Sequence, residues 1–185
     1  EDETSLSSRG GLGAGGGTFS SSDGTLDFDP RGQLLAVSAA TIDRLLAEVK
    51  IAQGEREAGL LLYREAMVRY PLNLALLYGY GSALIGGKKF AEALRFADEQ
   101  LRNYPQDARF YKMRAESYAG LGRRSQQHLA LAEMAVLKGQ TAGAIEQLQF
   151  AQQAGDANFY EMSVIDGRLR DMKKRQLEEM KERQN

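Results

Sequence analysis

Candidate binding residues occur in two groups, and the second group lies about 34 residues after the first in the chain. Tyr78 and Ser82 form the first group, and Arg109, Lys112 and Glu116 form the second, in which Lys112 and Glu116 repeat the positions of Tyr78 and Ser82. An aromatic ring beside guanidinium and ammonium groups is a typical surface for an extended peptide or its carboxylate. These residues therefore predict a partner-binding site, and the alternative is an ordinary solvated surface.

The composition excludes several kinds of catalytic and metal site. The chain has no cysteine, which excludes disulfides, thiolate metal sites and cysteine nucleophiles. Its one histidine, His128, cannot form a His-rich zinc site or an H-E-x-x-H motif, so we predict a structural or surface histidine. Glu161, Asp166 and Asp171 follow one another at a spacing of five, which does not align on one helical face. We predict no catalytic residue, no metal site and no cofactor in this chain.

Charge and hydropathy argue against two further classes of partner. There are 24 Lys and Arg against 25 Asp and Glu, so the net charge of −1 does not favour nucleic acid. There is no apolar run of about 18 residues, which a transmembrane helix requires. Five aromatic residues of the later chain fit a protein core better than a base-stacking platform: Phe90, Phe96, Phe110, Tyr111 and Tyr118.

The segment over 1–37 differs in composition from the rest of the chain. Eight of the 20 glycines precede residue 33, and serine is abundant there while apolar residues are scattered. Such a segment buries too little surface to offset its ordering entropy, so we predict a flexible arm or linker over 1–37. The glycine-rich run over 10–17 lacks a preceding strand, a following helix and a G-K-[ST] motif, which argues against a phosphate-binding loop.

The remaining chain repeats with the period of tetratricopeptide repeats. The pair Tyr70-Pro71 recurs as Tyr104-Pro105 in a matching context, at a period of about 34 residues. Each repeat of this kind has a first helix, A, and a second helix, B, with small residues where helices approach closely. Three sets of residues fit this pattern, except that Arg114 stands where leucine is usual. They are Leu77, Tyr80, Gly81 and Leu84 in one helix A, Tyr111, Arg114, Ala115 and Tyr118 in the next, and Ala93 in a helix B.

Apolar spacing and turn signals predict an all-α solenoid of about eight antiparallel helices over 38–185. The expected apolar face of the first helix consists of Ile42, Leu45, Leu46 and Val49. The predicted ranges are 40–53, 56–70, 73–85, 89–103, 107–121, 124–138, 141–154 and 157 to the C-terminus.

The glycines that end the helices show an irregularity of register. The interval from Gly87 to Gly122 is close to one full repeat, but the interval from Gly122 to Gly139 is only half a repeat. The helix over 124–138 therefore fits either the second position of one repeat or the first position of the next. This leaves open which face of the solenoid the later helices line.

Part of the repeat region resembles a more specific family. The resemblance rests on three segments: RFYKMRAESYAGLGRR over 109–124, QQHLALAE over 126–133 and AIEQL over 144–148. They resemble the C-terminal tetratricopeptide domain of periplasmic zinc metallopeptidases related to the β-barrel assembly-enhancing protease. The resemblance covers the range of about 55–170, and the segment over 1–37 does not match the family.

The resemblance implies a role and a location for this chain. It would be the non-catalytic module of an H-E-x-x-H zinc metallopeptidase in the periplasm, with the zinc in an upstream peptidase domain. Its expected partners are protein or peptide clients, the outer-membrane assembly machinery and its own upstream peptidase domain. The alternative is a free-standing tetratricopeptide adaptor or cochaperone with no attached enzyme, for which a cytoplasmic location is also open. A catalytic domain of unknown type is the third and weakest hypothesis.

The C-terminal segment is locally basic and amphipathic. Seven basic and four acidic residues lie within 168–183, so RNA or lipid binding is conceivable. We prefer a helix that caps the solenoid with a solvated outer face, with Glu179 and Arg183 as an i, i+4 pair. Its apolar stripe consists of Ile165, Leu169, Met172 and Met180.

Overall fold

The computed structural model describes the backbone of residues 30–184 and the side chains of residues 39–182. This part of the chain contains helices and no strand. The helices are α1 (Pro30–Ala52), α2 (Arg56–Arg69), α3 (Leu74–Gly86), α4 (Phe90–Asn103), α5 (Ala108–Gly120), α6 (Arg124–Leu137), α7 (Thr141–Gln153) and α8 (Phe159–Gln184).

The helices form an all-α, tetratricopeptide-like solenoid, as the sequence predicts. Each helix packs against the next one in the chain, and the alternate helices α1, α3 and α5 also contact one another in turn. This is the arrangement of stacked helix pairs, in which each unit contacts mainly its neighbours. The predicted ranges of α2 to α8 agree with the observed ones to within two positions.

The start of α1 corrects the sequence prediction. The sequence predicts a first helix that begins near residue 40, after an arm over 1–37, but α1 begins at Pro30. Proline suits the first position of a helix, because its fixed φ is helical and no hydrogen bond needs its missing N–H there. The rest of the predicted arm, over 1–29, lies outside the described residues.

The expected packing face of α1 is also corrected. Ile42, Leu45, Leu46 and Val49 are exposed, whereas the buried side chains among those described in this helix, from residue 39 onward, are Ala40 and Ala47. Small residues pack on α2 because the two helices approach closely, and Gly59 of α2 lies directly against the backbone at Ala47. The apolar stripe therefore points away from the core.

Side chains and backbone geometry explain where the helices start and stop. The Oδ1 atom of Asn73 accepts a hydrogen bond from the Leu76 N–H at 3.2 Å, and Asp107 caps α5 through the Arg109 N–H at 2.9 Å. The A helices end on a left-handed residue with matching hydrogen bonds, at Gly54, Lys88 and Gly122. These three residues follow one another at the period of the repeat, so Lys88 occupies the position that we assigned to Gly87.

The core consists of successive clusters along the solenoid. Tyr63 of α2, Leu76 of α3 and Ala93 of α4 belong to the first cluster. Phe110 of α5 packs with Ala97 of α4 in the second. In the third, α8 covers α6 and α7 with the buried residues Ile165, Leu169 and Met172.

The C-terminal helix extends beyond this third cluster. Its stripe residue Met180 is 45% exposed, unlike the other three. Glu179 pairs with Arg175 at 3.0 Å and accepts a hydrogen bond from the Thr141 hydroxyl at 2.7 Å, which ties α8 to the start of α7. The predicted pairing of Glu179 with Arg183 involves a side chain outside the described residues.

Candidate partner-binding site

The A helices α1, α3 and α5 lie side by side along the solenoid, and a groove runs between α1 and α3. Because α1, α3 and α5 hold the same position in successive repeats, their equivalent side chains point to the same side. The groove between α1 and α3 has a volume of about 680 Å³. Side chains that line it include Thr41, Arg44 and Glu48 of α1, and Ala75, Tyr78 and Ser82 of α3.

Tyr78 lines this groove and also contacts the start of α5, the next A helix. Its hydroxyl donates a hydrogen bond to the carboxylate of Asp107, and the guanidinium of Arg109 lies 4.6 Å from the centre of its ring. Burial and the bond to Asp107 raise the pKa of Tyr78 to about 12. Tyr78 is thus a clamp between α3 and α5 as well as a wall of the groove.

The other predicted site residues lie on the exposed surface around this clamp. Ser82, Arg109, Lys112 and Glu116 are all exposed. The ammonium of Lys112 lies 3.5 Å from a carboxylate oxygen of Glu116, one turn further along α5. The structure therefore brings Tyr78 and Arg109 into contact and places Lys112 beside Glu116, and the binding role of all five stays a prediction.

A second, more enclosed cleft lies between α5, α6 and α8. Its volume is about 560 Å³. It opens on the opposite side of α5 from Arg109, Lys112 and Glu116, as the helical turn of about 3.6 residues requires. The lining residues include Tyr111, Arg114 and Tyr118 of α5, Leu129 and Glu133 of α6, and Tyr160, Val164 and Arg168 of α8.

Ion pairs hold the walls of this cleft in place. Arg168 of α8 binds both carboxylate oxygens of Glu133 of α6, and this hydrogen bonding raises the pKa of Arg168. Arg114 lies 3.0 Å from the carboxylate of Asp98 on α4, and its guanidinium is 5.7 Å from the centre of the Tyr118 ring. These charged groups of the cleft are therefore engaged with other side chains, and much of the remaining surface is aromatic and aliphatic.

The sequence does not predict this cleft, because it leaves the register of the later helices open. The one available signal was Arg114, which occupies a position where a buried leucine is usual. A guanidinium is rarely buried completely, so an arginine at that position indicates a place where the packing opens to solvent. Tyr160 and Val164 follow only from the placement of α8.

His128 has a structural environment. Its Nδ1 lies 2.9 Å from Oε1 of Gln147 on α7, and its ring centre is 5.5 Å from that of Phe150. The ring therefore bridges α6 and α7. Among the described residues there is no group of three or more His, Asp or Glu side chains placed to hold a metal ion.

The stacked helix pairs, with the groove on one side and the second cleft beneath α8, define this chain as a helical-repeat protein built from tetratricopeptide-like helix pairs. No family model matches the chain, and no curated protein matches it. Among solved structures it is similar to a thermophilic tetratricopeptide-repeat protein from Thermus thermophilus, seen in a crystal structure. The identity is 18%, the TM-score is 0.40, and the match covers 72% of this chain and 80% of that chain. In the described part of the chain, no helix has the length and apolarity to cross a membrane.

Proposed function

We propose that this chain is a protein-interaction module that binds an extended segment of a partner protein along the A helices α1, α3 and α5, including the groove between α1 and α3. The observation that supports this most directly is the repeated display of side chains by successive A helices on one side of the solenoid. Groups arranged in this way match the side chains along an extended peptide better than they match one small ligand. This chain would bind its partner rather than catalyse a reaction.

The chemistry of the groove favours a segment with an acidic group or a free carboxylate at one end. Arg109 and Lys112 supply exposed positive charge near Tyr78, and Glu116 limits this basic patch on one side. Ser82 adds an exposed hydroxyl within the groove. The guanidinium of Arg109 can still donate hydrogen bonds from its edge while its face covers the Tyr78 ring.

Site-specific photo-crosslinking tests this proposal. A photoreactive amino acid placed at Ser82 should capture a partner, and the same residue at Ser163 on α8 should not capture it. The double variant Arg109→Ala with Lys112→Ala should weaken binding of that partner about tenfold or more. The matched control is Lys173→Ala with Lys174→Ala, which removes the same charge from an exposed part of α8. Equal binding by both double variants would refute the groove as the site.

For the parent protein, we propose an H-E-x-x-H zinc metallopeptidase of the periplasm. The support is the resemblance of the segments over 109–124, 126–133 and 144–148 to that family. The repeat module would then hold clients or the outer-membrane assembly machinery near an upstream active site. A free-standing adaptor or cochaperone is the alternative. The reading frame around this chain decides: an H-E-x-x-H motif upstream supports the peptidase, and a complete gene without one contradicts it.

A further inference from the structure

An apolar stripe runs along the side of α1 that faces away from the core. It consists of four large aliphatic side chains that are each about half exposed: Ile42 at 58%, Leu45 at 47%, Leu46 at 51% and Val49 at 52%. They sit at the i, i+3, i+4, i+7 spacing of one helical face. Exposed aliphatic residues that are scattered singly need no explanation, but a contiguous stripe is typical of an interaction surface.

The internal repeat shows what this stripe is built to contact. Ile42 is equivalent to Leu76 of α3 and Phe110 of α5, and both of these are completely buried. Val49 is equivalent to Ser117 of α5, which is completely buried as well. The Ile42 position is therefore covered in the second and third repeats, and the Val49 position is partly covered in the second, at Ala83, and completely covered in the third, whereas both are exposed in the first.

The helices that cover these positions are the B helices of the preceding repeat. Leu76 packs in one cluster with Leu60 and Ala66 of α2. Phe110 packs with Ala97 of α4, and its ring stacks on Tyr104 at a centre-to-centre distance of 5.9 Å. By this equivalence, the natural occupant of the α1 stripe is another helix lying along it.

The residue types of the stripe favour a second copy of the same helix. Ile42 and Val49 lie one heptad apart with Leu45 between them, which gives β-branched residues at a and leucine at d. That combination favours a two-stranded helical pair. The neighbouring charges are already paired within the chain, so the stripe has no preference for an acidic or a basic helix. These pairs are Arg44 with Glu48, Lys50 with Glu55, and Asp43 with Arg69.

We propose that the chain forms a homodimer in which the α1 stripes of two copies pack against each other. α1 has 23 residues, whereas its partner helix α2 has 14, so the backbone of α1 extends beyond its own helix pair. The cores of the two copies would lie on opposite sides of this contact. The dimer goes beyond the groove function and does not depend on it.

Analytical ultracentrifugation of the full chain over a wide concentration range tests the dimer. We expect a monomer–dimer equilibrium, and Leu45→Glu should raise the dissociation constant about tenfold or more. The matched control is Val68→Glu on α2, which places the same charge at an aliphatic residue that is 83% exposed. Circular dichroism establishes that both variants keep their helices. A wild-type chain that stays monomeric at its highest soluble concentration would overturn the proposal.

Disulfide trapping identifies the contact itself. The chain has no cysteine, so a single introduced cysteine can only crosslink two copies. Leu45→Cys lies near the middle of the stripe and should form a disulfide-linked dimer on mild oxidation, whereas Val68→Cys should not. Equal crosslinking of the two variants, or none at Leu45→Cys, would contradict a contact between two stripes. Partner binding by the groove should be unchanged in Leu45→Glu, which separates the two proposals.

Discussion

Lys88 has a backbone conformation that its side chain does not favour. Its φ of 59° lies in the left-handed region, where the Cβ atom crowds the following carbonyl oxygen. The equivalent residues of the neighbouring repeats are Gly54 and Gly122, which have no Cβ. The hydrogen bond from Lys89 N–H to the Leu84 carbonyl, at 2.9 Å, holds this turn in place at the end of α3.

We expect Lys88→Gly to stabilise the protein by about 0.5–1 kcal/mol, because it removes the left-handed strain while the greater freedom of glycine in the unfolded chain offsets part of the gain. Urea denaturation at constant m-value measures the change. The companion variant Gly122→Ala has open space around its new methyl group, so it should lose about 1 kcal/mol through backbone strain alone. A destabilised Lys88→Gly would contradict this account.

Tyr78 shows how one residue serves both the fold and the groove. Its hydroxyl donates a hydrogen bond to Asp107, which also caps the N-terminus of α5, so the tyrosine links α3 to the start of α5. A change at Tyr78 therefore alters the groove and the packing together. For this reason the groove experiment keeps Tyr78 and its hydrogen bond to Asp107, and replaces the exposed side chains of Lys112 and of Arg109, which covers the Tyr78 ring.

At the scale of helices, glycine allows α2 to approach the backbone of α1. A methyl group added at Gly59 of α2 would lie 2.7 Å from the Ala47 carbonyl oxygen and 2.5 Å from Cγ1 of Ile51. The first contact is with backbone, which cannot move aside as a flexible side chain can. α1 and α2 would have to separate.

Gly59→Ala should therefore destabilise the protein by about 1–2 kcal/mol, even though alanine favours the helix more than glycine does. Gly167→Ala in α8 is the control, since its methyl group meets no atom within 4 Å. That variant should gain about 0.5–1 kcal/mol from helix propensity alone. Thermal or urea unfolding of the two variants measures the contrast, and equal effects would rule out the close approach as the cause.

The later helices show a change in the order of the solenoid. α6 and α7 both end near left-handed glycines, Gly139 and Gly155, as α1 and α5 do, whereas the earlier B helices end before Pro71 and Pro105. α6 therefore ends in the way that the A helices end, although it occupies the position of a B helix in the chain. Its contact with α8 through Glu133 and Arg168 forms one wall of the second cleft.

At the scale of the whole molecule, the described core consists of successive clusters along the solenoid axis. The cluster of α6, α7 and α8 shares no residue with the cluster of α1 to α4. In repeat architectures each unit is stabilised mainly by its neighbours, so local opening is expected at the ends. α8 packs on this end of the molecule through Ile165, which is completely buried, together with Leu169 and Met172.

Ile165→Ala should lower the free energy of unfolding of the C-terminal helices by about 2–4 kcal/mol, because it leaves a cavity beneath α8. Hydrogen exchange should speed up in α7 and α8 while protection of α2 and α3 stays unchanged. Val164→Ala, at the preceding position and 38% exposed, should have a much smaller effect. Uniform loss of protection along the chain would show instead that the solenoid unfolds as one unit.

The sequence alone determined the helices and their repeat. Apolar periodicity, the two Tyr-Pro pairs and the glycines at helix ends are local signals, because each determines the backbone conformation of residues close to it in sequence. The ends of α2 to α8 follow from them, as does the placement of Ser82 and Lys112 on exposed helix surface. The sequence does not predict the start of α1 at Pro30, because the composition rich in glycine and serine before residue 33 indicates a flexible arm, and a single proline does not indicate a helix start.

Only the tertiary structure decided how the helices use their faces. An apolar stripe predicts burial, but whether a neighbour covers it depends on chain distant in sequence, so Ile42 is exposed while its repeat equivalent Leu76 is buried. The clamp of Tyr78 by Asp107 and Arg109, and the cleft beneath α8, likewise depend on contacts between helices. Such contacts are set by the packing of whole surfaces, which no short pattern of residues encodes.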